Sequence, residues 1–195
     1  DYLFVKGDYD TCMTGLDQYI PVVEPSDTLN GLDRSQDPTR LGGQRINAQT
    51  EGLPIEQALV NLATDICQEG GRPQYCFLSH FQWKKLIAAL GSKADYEQVK
   101  AHNANVGFDS VKIYGPKGAI RVMVDQNCPY DKAYMLDMRT WKLCSMGQMP
   151  QILDHDGLTF LRSATADAVQ LRIGGYFELA CTAPGWNGVA LLQTT

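Results

Sequence analysis

The stretch GLPIEQALVNLATDICQEGGRPQYCFLSHFQWKKLIAALG, residues 52–91, has the clearest structural pattern in this chain of 195 residues. Apolar residues in its first half recur at helical spacing, which places them on one face of a helix. Pro54 suits the first turn of that helix, and Gly70 and Gly71 supply its end. The predicted apolar face consists of Ile55, Leu59, Leu62, Ala63 and Ile66.

The second half of this stretch predicts a strand that leads directly into another helix. QYCFL, residues 74–78, is a short apolar run of the kind found in buried strands. Ser79 and Gln82 have the spacing of a capping box, and Gly91 ends the helix. The side chains that we expect this helix to bury are Phe81, Leu86, Ile87 and Leu90.

From residue 106 the apolar period changes to two, which indicates strands. SVKIYGPKGAIRVMVD, residues 110–125, alternates in both arms around Gly115–Gly118 and predicts a β-hairpin. Residues 133–137 and 141–147 predict two more strands, and residues 169–192 predict two strands joined near Pro184. The predicted class is therefore α+β, with two helices packed on mostly antiparallel sheets.

The chain divides into three stretches by pattern. Residues 1–53 are dense in proline and glycine, which prevents long regular elements, so we expect an irregular contact segment that lies against other surfaces. Residues 54–105 form the helix-strand-helix unit, and residues 106–195 form the mostly antiparallel β part.

Charge and cysteine spacing argue against several classes of protein. A net charge of −5 gives no support for a dedicated nucleic-acid binder, and no apolar run is long enough to predict a transmembrane helix. The six cysteines are widely spaced and include no CxxC pair, which argues against structural zinc and favours free thiols in a reducing cytoplasm. They are Cys12, Cys67, Cys76, Cys128, Cys144 and Cys181.

One short cluster could carry chemistry. Asp154, His155 and Asp156 could ligate a metal or serve a hydrolase, but neighbouring residues of an extended segment point to opposite sides. Asp156-Gly157 is also a turn signal, so we favour a turn. No nucleophile elbow or phosphate-binding glycine loop is present, and we predict neither a catalytic residue nor a cofactor.

The loop NGLDRSQDPTRLGGQ, residues 30–44, is the other candidate site. Its charged residues are Asp33, Arg34, Asp37 and Arg40, and they are set among three glycines and a proline. No base, nucleophile or metal cluster elsewhere accompanies them, so a surface contact is the better interpretation.

The order of these segments resembles the C-terminal part of tailed-bacteriophage major capsid proteins, whose fold is shared by encapsulin shells. The similar pieces are collinear, from about residue 30 to 192, and each alone is degenerate. They are GLDRSQDP followed by GG, the helix ending in GGRP, QYCFLSHFQWKKL, VKIYGPKGAIRVMVDQNCP and AYMLDMRTWKL.

This resemblance implies a structural role. The fold would have peripheral and axial domains, and the protein would be a capsid subunit that assembles into hexamers and pentamers around double-stranded DNA. Its partners would be copies of itself, with scaffolding, portal or decoration proteins as further possibilities, and packaged DNA would lie on the inner face without sequence specificity. It would be found in the virion after assembly in the bacterial host cytoplasm. An encapsulin-type compartment shell is the first alternative, and the hydrolase is the second.

The resemblance also implies that an arm, an extended loop and a spine helix belong before this region, so we expect the chain to be a C-terminal portion. Within it, Asp33, Arg34, Asp37 and Arg40 become a hypothetical subunit interface, because loops of both charge signs suit contacts between identical copies. An Arg34→Glu change would then weaken assembly without unfolding the subunit.

Overall fold

The computed structural model describes residues 13–90, 96–98, 109–148, 150–152, 154, 159–162 and 168–194. The helices are α1 (Leu16–Tyr19), α2 (Pro38–Gly42), α3 (Ala48–Glu51), α4 (Ile55–Gln68) and α5 (His80–Leu90). The strands of the first half are β1 (Thr28–Leu29), β2 (Leu32–Asp33), β3 (Gln44–Asn47), β4 (Tyr75–Leu78), β5 (Tyr96–Gln98), β6 (Asp109–Gly115) and β7 (Gly118–Val124). Those of the second half are β8 (Lys132–Leu136), β9 (Trp141–Ser145), β10 (Gln151–Ile152), β11 (Phe160–Arg162), β12 (Val169–Leu171), β13 (Ile173–Gly174), β14 (Phe177–Cys181) and β15 (Gly188–Leu191).

A seven-stranded sheet forms the body of the subunit, in the order β3-β15-β8-β4-β7-β6-β5. The β3–β15 and β4–β7 pairs are parallel, and the other four pairs are antiparallel. This confirms the predicted class of two helices on a mostly antiparallel sheet. The hairpin is also confirmed, since Gly115 pairs with Gly118 across the turn.

The two predicted helices cover one face of this sheet. The predicted face of α4 is buried as expected, apart from Ile55, which is half-buried at the rim. Alternate residues of the strands meet this face because successive side chains point to opposite sides of a sheet. The first core contains Leu59, Leu62, Ala63 and Ile66 of α4, Leu86 of α5, and Cys76, Leu78, Val111, Val122, Met135 and Ala190 of the sheet.

A second core covers the opposite face at β4, β8 and β15. Tyr134 and Leu136 alternate with Ala133 and Met135 along β8, and all four are buried, so this strand is enclosed on both sides. The second core is closed by α1 and by the start of the β9–β14 pair. It contains Leu16, Tyr19, Ile20, Cys128, Tyr134, Leu136 and Val189, with Phe77, Trp141 and Cys181 packed against it.

Two details of α5 differ from expectation. Phe81 was predicted to be buried but is 43% exposed, and the polar Gln82 takes the inward position instead. The Gln82 amide nitrogen donates to the backbone oxygens of Tyr130 and Gln193, at 2.9 and 3.0 Å. Its backbone N–H is within 3.4 Å of Ser79 Oγ, so the cap is present, while its side chain serves the sheet.

Residues 13–53 contain only short elements, in keeping with their proline and glycine content, but they build part of the body. β3 forms one edge of the sheet by pairing with β15, about 140 residues later in the chain. A positive φ of 81° at Gly43 allows the turn before β3, and a Cβ there would lie 1.9 Å from Ile20 Cγ2. Four residues of strand show too little periodicity to be recognised from sequence.

Outside the main sheet, the described strands between residues 141 and 181 form three antiparallel pairs, which we call the ribbon. β9 pairs with β14, β10 with β13, and β11 with β12, so the two sides of the ribbon run in opposite directions along its length. The two strands predicted over 169–192 are instead four, because Arg172 and the Gly175-Tyr176 step interrupt them. Among the described residues, no helix is long and apolar enough to cross a membrane.

Candidate functional site

The charged loop does not act as one surface, because Arg34 points into the subunit. Its side chain is only 3% exposed. The guanidinium binds both carboxylate oxygens of Asp27 and donates to the backbone oxygen of Gln18. Arg34 therefore ties the loop to α1 from inside, so from the structure we expect Arg34→Glu to destabilise the subunit, contrary to the expectation from sequence. A carboxylate there would be buried next to Asp27.

Asp33 and Asp37 each cap a short turn. Asp33 accepts hydrogen bonds from the backbone N–H and the hydroxyl of Ser35, at 3.0 and 2.7 Å. These bonds stabilise the carboxylate and lower the pKa of Asp33 below its ordinary value. Asp37 accepts from the backbone N–H of Arg40 at the start of α2, at 3.1 Å. Both acids are at the surface, and their part in a subunit interface stays a prediction.

Arg40 is the cation of this loop that faces outward. Its side chain is 73% exposed, with Glu69 Oε2 3.3 Å and Asp37 Oδ2 3.8 Å from Nε. Exposed pairs of this kind contribute little to stability, so Arg40 is available for another contact.

A buried polar joint, which no local sequence pattern indicates, attaches the ribbon to the sheet. Asp137, directly after β8, has a fully buried side chain. Its carboxylate accepts from the backbone N–H groups of Arg72 and Arg139, at 3.0 and 3.2 Å, and from the Arg139 guanidinium. Burial raises the pKa of Asp137, but the bonds from Arg139 and Arg72 outweigh that effect and hold the pKa below its usual value.

Asn187 completes this joint just before β15. Its side-chain oxygen accepts from the Asp137 backbone N–H at 2.8 Å and from Trp141 Nε1 at 2.9 Å. Its amide nitrogen donates to Thr140 Oγ1 and to the Ala183 backbone oxygen, both at 2.9 Å. One satisfied side chain thus joins the end of β8, the start of β9 and the segment between β14 and β15. The segment AYMLDMRTWKL therefore has a structural role, and it is held by hydrogen bonds to Asn187, which lies far away in sequence.

The metal hypothesis gains no support. Asp154 is exposed, and His155 and Asp156 lie outside the described residues. Across the part of the chain that the structure describes, no group of three or more His, Cys, Asp or Glu side chains could hold a metal ion. Five cysteines there are free thiols, and Cys12 lies outside it.

The ribbon exposes many large apolar side chains, and these were missed as a candidate surface. The alternation in VQLRI, residues 169–173, was the available signal. Exposed apolar surface on this scale is typical of an interaction site. The exposed side chains are Leu143, Met146, Ile152, Phe160, Val169, Leu171, Ile173, Tyr176 and Phe177.

Comparison with known proteins gives a family and a fold. The family described as SU10 major capsid protein matches residues 11–170. Seventeen chains of solved structures match, among them a chain described as "Cyanophage A-1(L) capsid asymmetric unit". That chain is 15% identical, with a TM-score of 0.62, and the match covers all of this chain and 64% of that one. No curated protein matches. The present chain thus spans less than two thirds of the capsid chain's length. It belongs to the SU10 major capsid protein family and has the fold of a phage capsid subunit.

Proposed function

We propose that this chain forms the body of a structural subunit of an icosahedral phage capsid and associates with copies of itself into hexamers and pentamers. The observation that carries the proposal is the family match over most of the chain. The fold agrees with it, since a chain from a cyanophage capsid shares it over the whole length of this one. The same match favours a viral shell over an encapsulin-type compartment.

The physical character of the subunit supports a shell role. The central sheet is packed against the helices on one face and, at β4, β8 and β15, against a second core on the other, which makes a rigid body that can be repeated without deformation. The ribbon and the outward charges of Asp33, Asp37 and Arg40 lie outside that body, where contacts with other copies would form. Catalysis plays no part in this role.

The wider proposal concerns partners and place. The shell would enclose double-stranded DNA without sequence specificity, in a virion assembled in the bacterial host cytoplasm. Scaffolding, portal or decoration proteins are further partners in this proposal. The subunit's acidic balance requires that any DNA-facing surface be only locally basic.

Expression of the intact gene product that contains this chain tests the proposal. We expect closed shells or capsomers by negative-stain microscopy and native mass spectrometry. A protein that stays monomeric at high concentration would contradict it.

A further inference from the structure

The outer part of the ribbon, consisting of β10–β13 and β11–β12, has two different faces. Ile152 pairs directly with Ile173, and Phe160 pairs with Leu171. Directly paired residues of an antiparallel ribbon point to the same side. Val169 and Leu171 lie two residues apart within β12 and share that side, as does the register position of Arg162, the partner of Val169. Ile173 lies two residues beyond Leu171, across Arg172, and continues the alternation.

All five side chains of this apolar face are exposed. The exposed fractions are 51% for Ile152, 62% for Phe160, 63% for Val169, 41% for Leu171 and 64% for Ile173. A sheet surface with this alternation normally covers a core on its apolar side. Neither core of the subunit includes any of the five.

The outer ribbon is also poorly supported by its own chain. Its contacts with other described elements are sparse, and each of its strands packs mainly against its paired strand. A two-stranded ribbon with no partner is only marginally stable in water. Something must therefore cover the apolar face when the protein functions.

The size of this face matches a protein interface. The five side chains expose roughly 500 Å² of apolar surface, whereas a standard interface buries about 800 Å² on each partner and is a little over half apolar. The apolar area of this face is thus about the apolar area that one partner contributes to a standard protein interface. Arg162, which pairs with Val169, is the one cation among the described residues placed by register on this side, and a single cation is too few for a nucleic-acid backbone.

We propose that this face, Ile152, Phe160, Val169, Leu171 and Ile173, docks onto a second copy of the chain in the assembled particle. The inference rests on the proposed function, because a shell is the setting in which identical copies meet at high local concentration. The ribbon is then an assembly arm whose apolar face is covered only by a neighbouring subunit.

A pair of single lysine substitutions on adjacent rungs tests the docking face. Ile173→Lys places a charge on the apolar face, and Gln151→Lys places the same charge one rung away, where Gln151 pairs with Gly174 on the other side. Both are made in the intact gene product, and the assembled fraction is measured by analytical ultracentrifugation. We expect Ile173→Lys to lower that fraction at least tenfold and Gln151→Lys to change it less than twofold.

A second measurement does not depend on how well the variants fold. A benzophenone amino acid replaces Phe160, and the assembled protein is irradiated and analysed by mass spectrometry. Crosslinks from position 160 to another copy would support the proposal. Crosslinks only within one copy, or only to a different viral protein, would overturn it.

The outcomes separate this inference from the proposed function. If the unmodified protein forms no assembly, the proposed function fails and the inference fails with it. If the unmodified protein and Ile173→Lys assemble equally well, the docking face is wrong and the proposed function stands.

Discussion

The sheet body and the outer ribbon both contain strands of apolar residues, but the body buries these side chains and the ribbon exposes them. In β8, alternate side chains enter two different cores, so Tyr134 and Met135 are both fully buried. In β12 and β13, Leu171 and Ile173 alternate in the same way but are 41% and 64% exposed, and neither core formed by the described residues includes them. Apolar strands therefore serve stability in one region and remain free for association in the other. Mutations should separate the two roles.

The largest expected effect is in the body. Leu62→Ala removes a fully buried side chain between α4 and the sheet, which should lower the free energy of unfolding by about 3 kcal/mol. Leu171→Ala is the matched change on the ribbon and should shift it by less than about 0.5 kcal/mol. Urea unfolding of the unassembled subunit measures both. Equal losses would contradict the contrast between the regions.

The next effect concerns the joint between the regions. Asp137→Asn should cost about 2 kcal/mol at pH 7, because a buried acceptor of charged and backbone hydrogen bonds loses its charge. The pKa of Asp137 is lower in the folded than in the unfolded state. The carboxylate therefore stabilises the fold above its unfolded pKa of about 4, and that stability disappears as the pH falls through the folded value.

Urea titrations between pH 7 and pH 2 should thus show the wild type losing its advantage over Asp137→Asn in acid. Asp33→Asn is the control, because Asp33 also has a lowered pKa but is exposed and caps only a surface turn. A difference between wild type and Asp137→Asn that stayed constant with pH would contradict the assigned role.

The same contrast exists within one loop, with a smaller effect. Arg34→Met should cost about 1 to 2 kcal/mol, because it removes the guanidinium's hydrogen bonds to the Asp27 carboxylate and to the Gln18 backbone oxygen. Arg40→Met should be nearly neutral in unfolding, since Arg40 is exposed. Thermal unfolding compares them. A more damaging Arg40→Met would mean that the outward pair with Glu69 holds the loop.

The smallest effect on stability is at the cysteines. Cys144→Ser on β9 should change the free energy of unfolding by less than about 0.5 kcal/mol, because Cys144 is exposed. In the unassembled subunit, a maleimide should label Cys144 much faster than Cys76 or Cys128. Burial raises the pKa of both buried thiols, that of Cys128 to about 12, so little thiolate forms near pH 7. Peptide mass spectrometry after timed labelling measures the rates.

Much of the body was predictable because its patterns are local. The spacing of apolar residues in α4, the run of β4 and the turn of the β6–β7 hairpin each lie within one short stretch. The family was predictable from the collinear order of these pieces, and the match over residues 11–170 confirms it. The division into three stretches and the interface role of Asp33, Asp37 and Arg40 remain predictions.

Other features depended on partners far away in sequence. Phe81 and Gln82 are adjacent on α5, and hydrophobicity favoured burial of Phe81. The structure buries Gln82 because backbone oxygens of Tyr130 and Gln193 end beside it and need a donor. The sequence predicted Arg34 to be a surface charge, but in the structure its guanidinium donates to the backbone oxygen of Gln18 in α1.

The sequence by itself determined the α+β class, the two main helices, the hairpin and the resemblance to phage capsid proteins, because periodicity and turn residues act over a few neighbouring positions. Only the tertiary structure decided that β3 joins β15, that Asn187 connects the ribbon to the sheet, and that neither core of the described residues includes Val169, Leu171 or Ile173. Strand pairing, the hydrogen bonds of buried polar groups and the burial of apolar faces depend on which distant residues meet in space. The sequence of one strand does not specify which strand it pairs with.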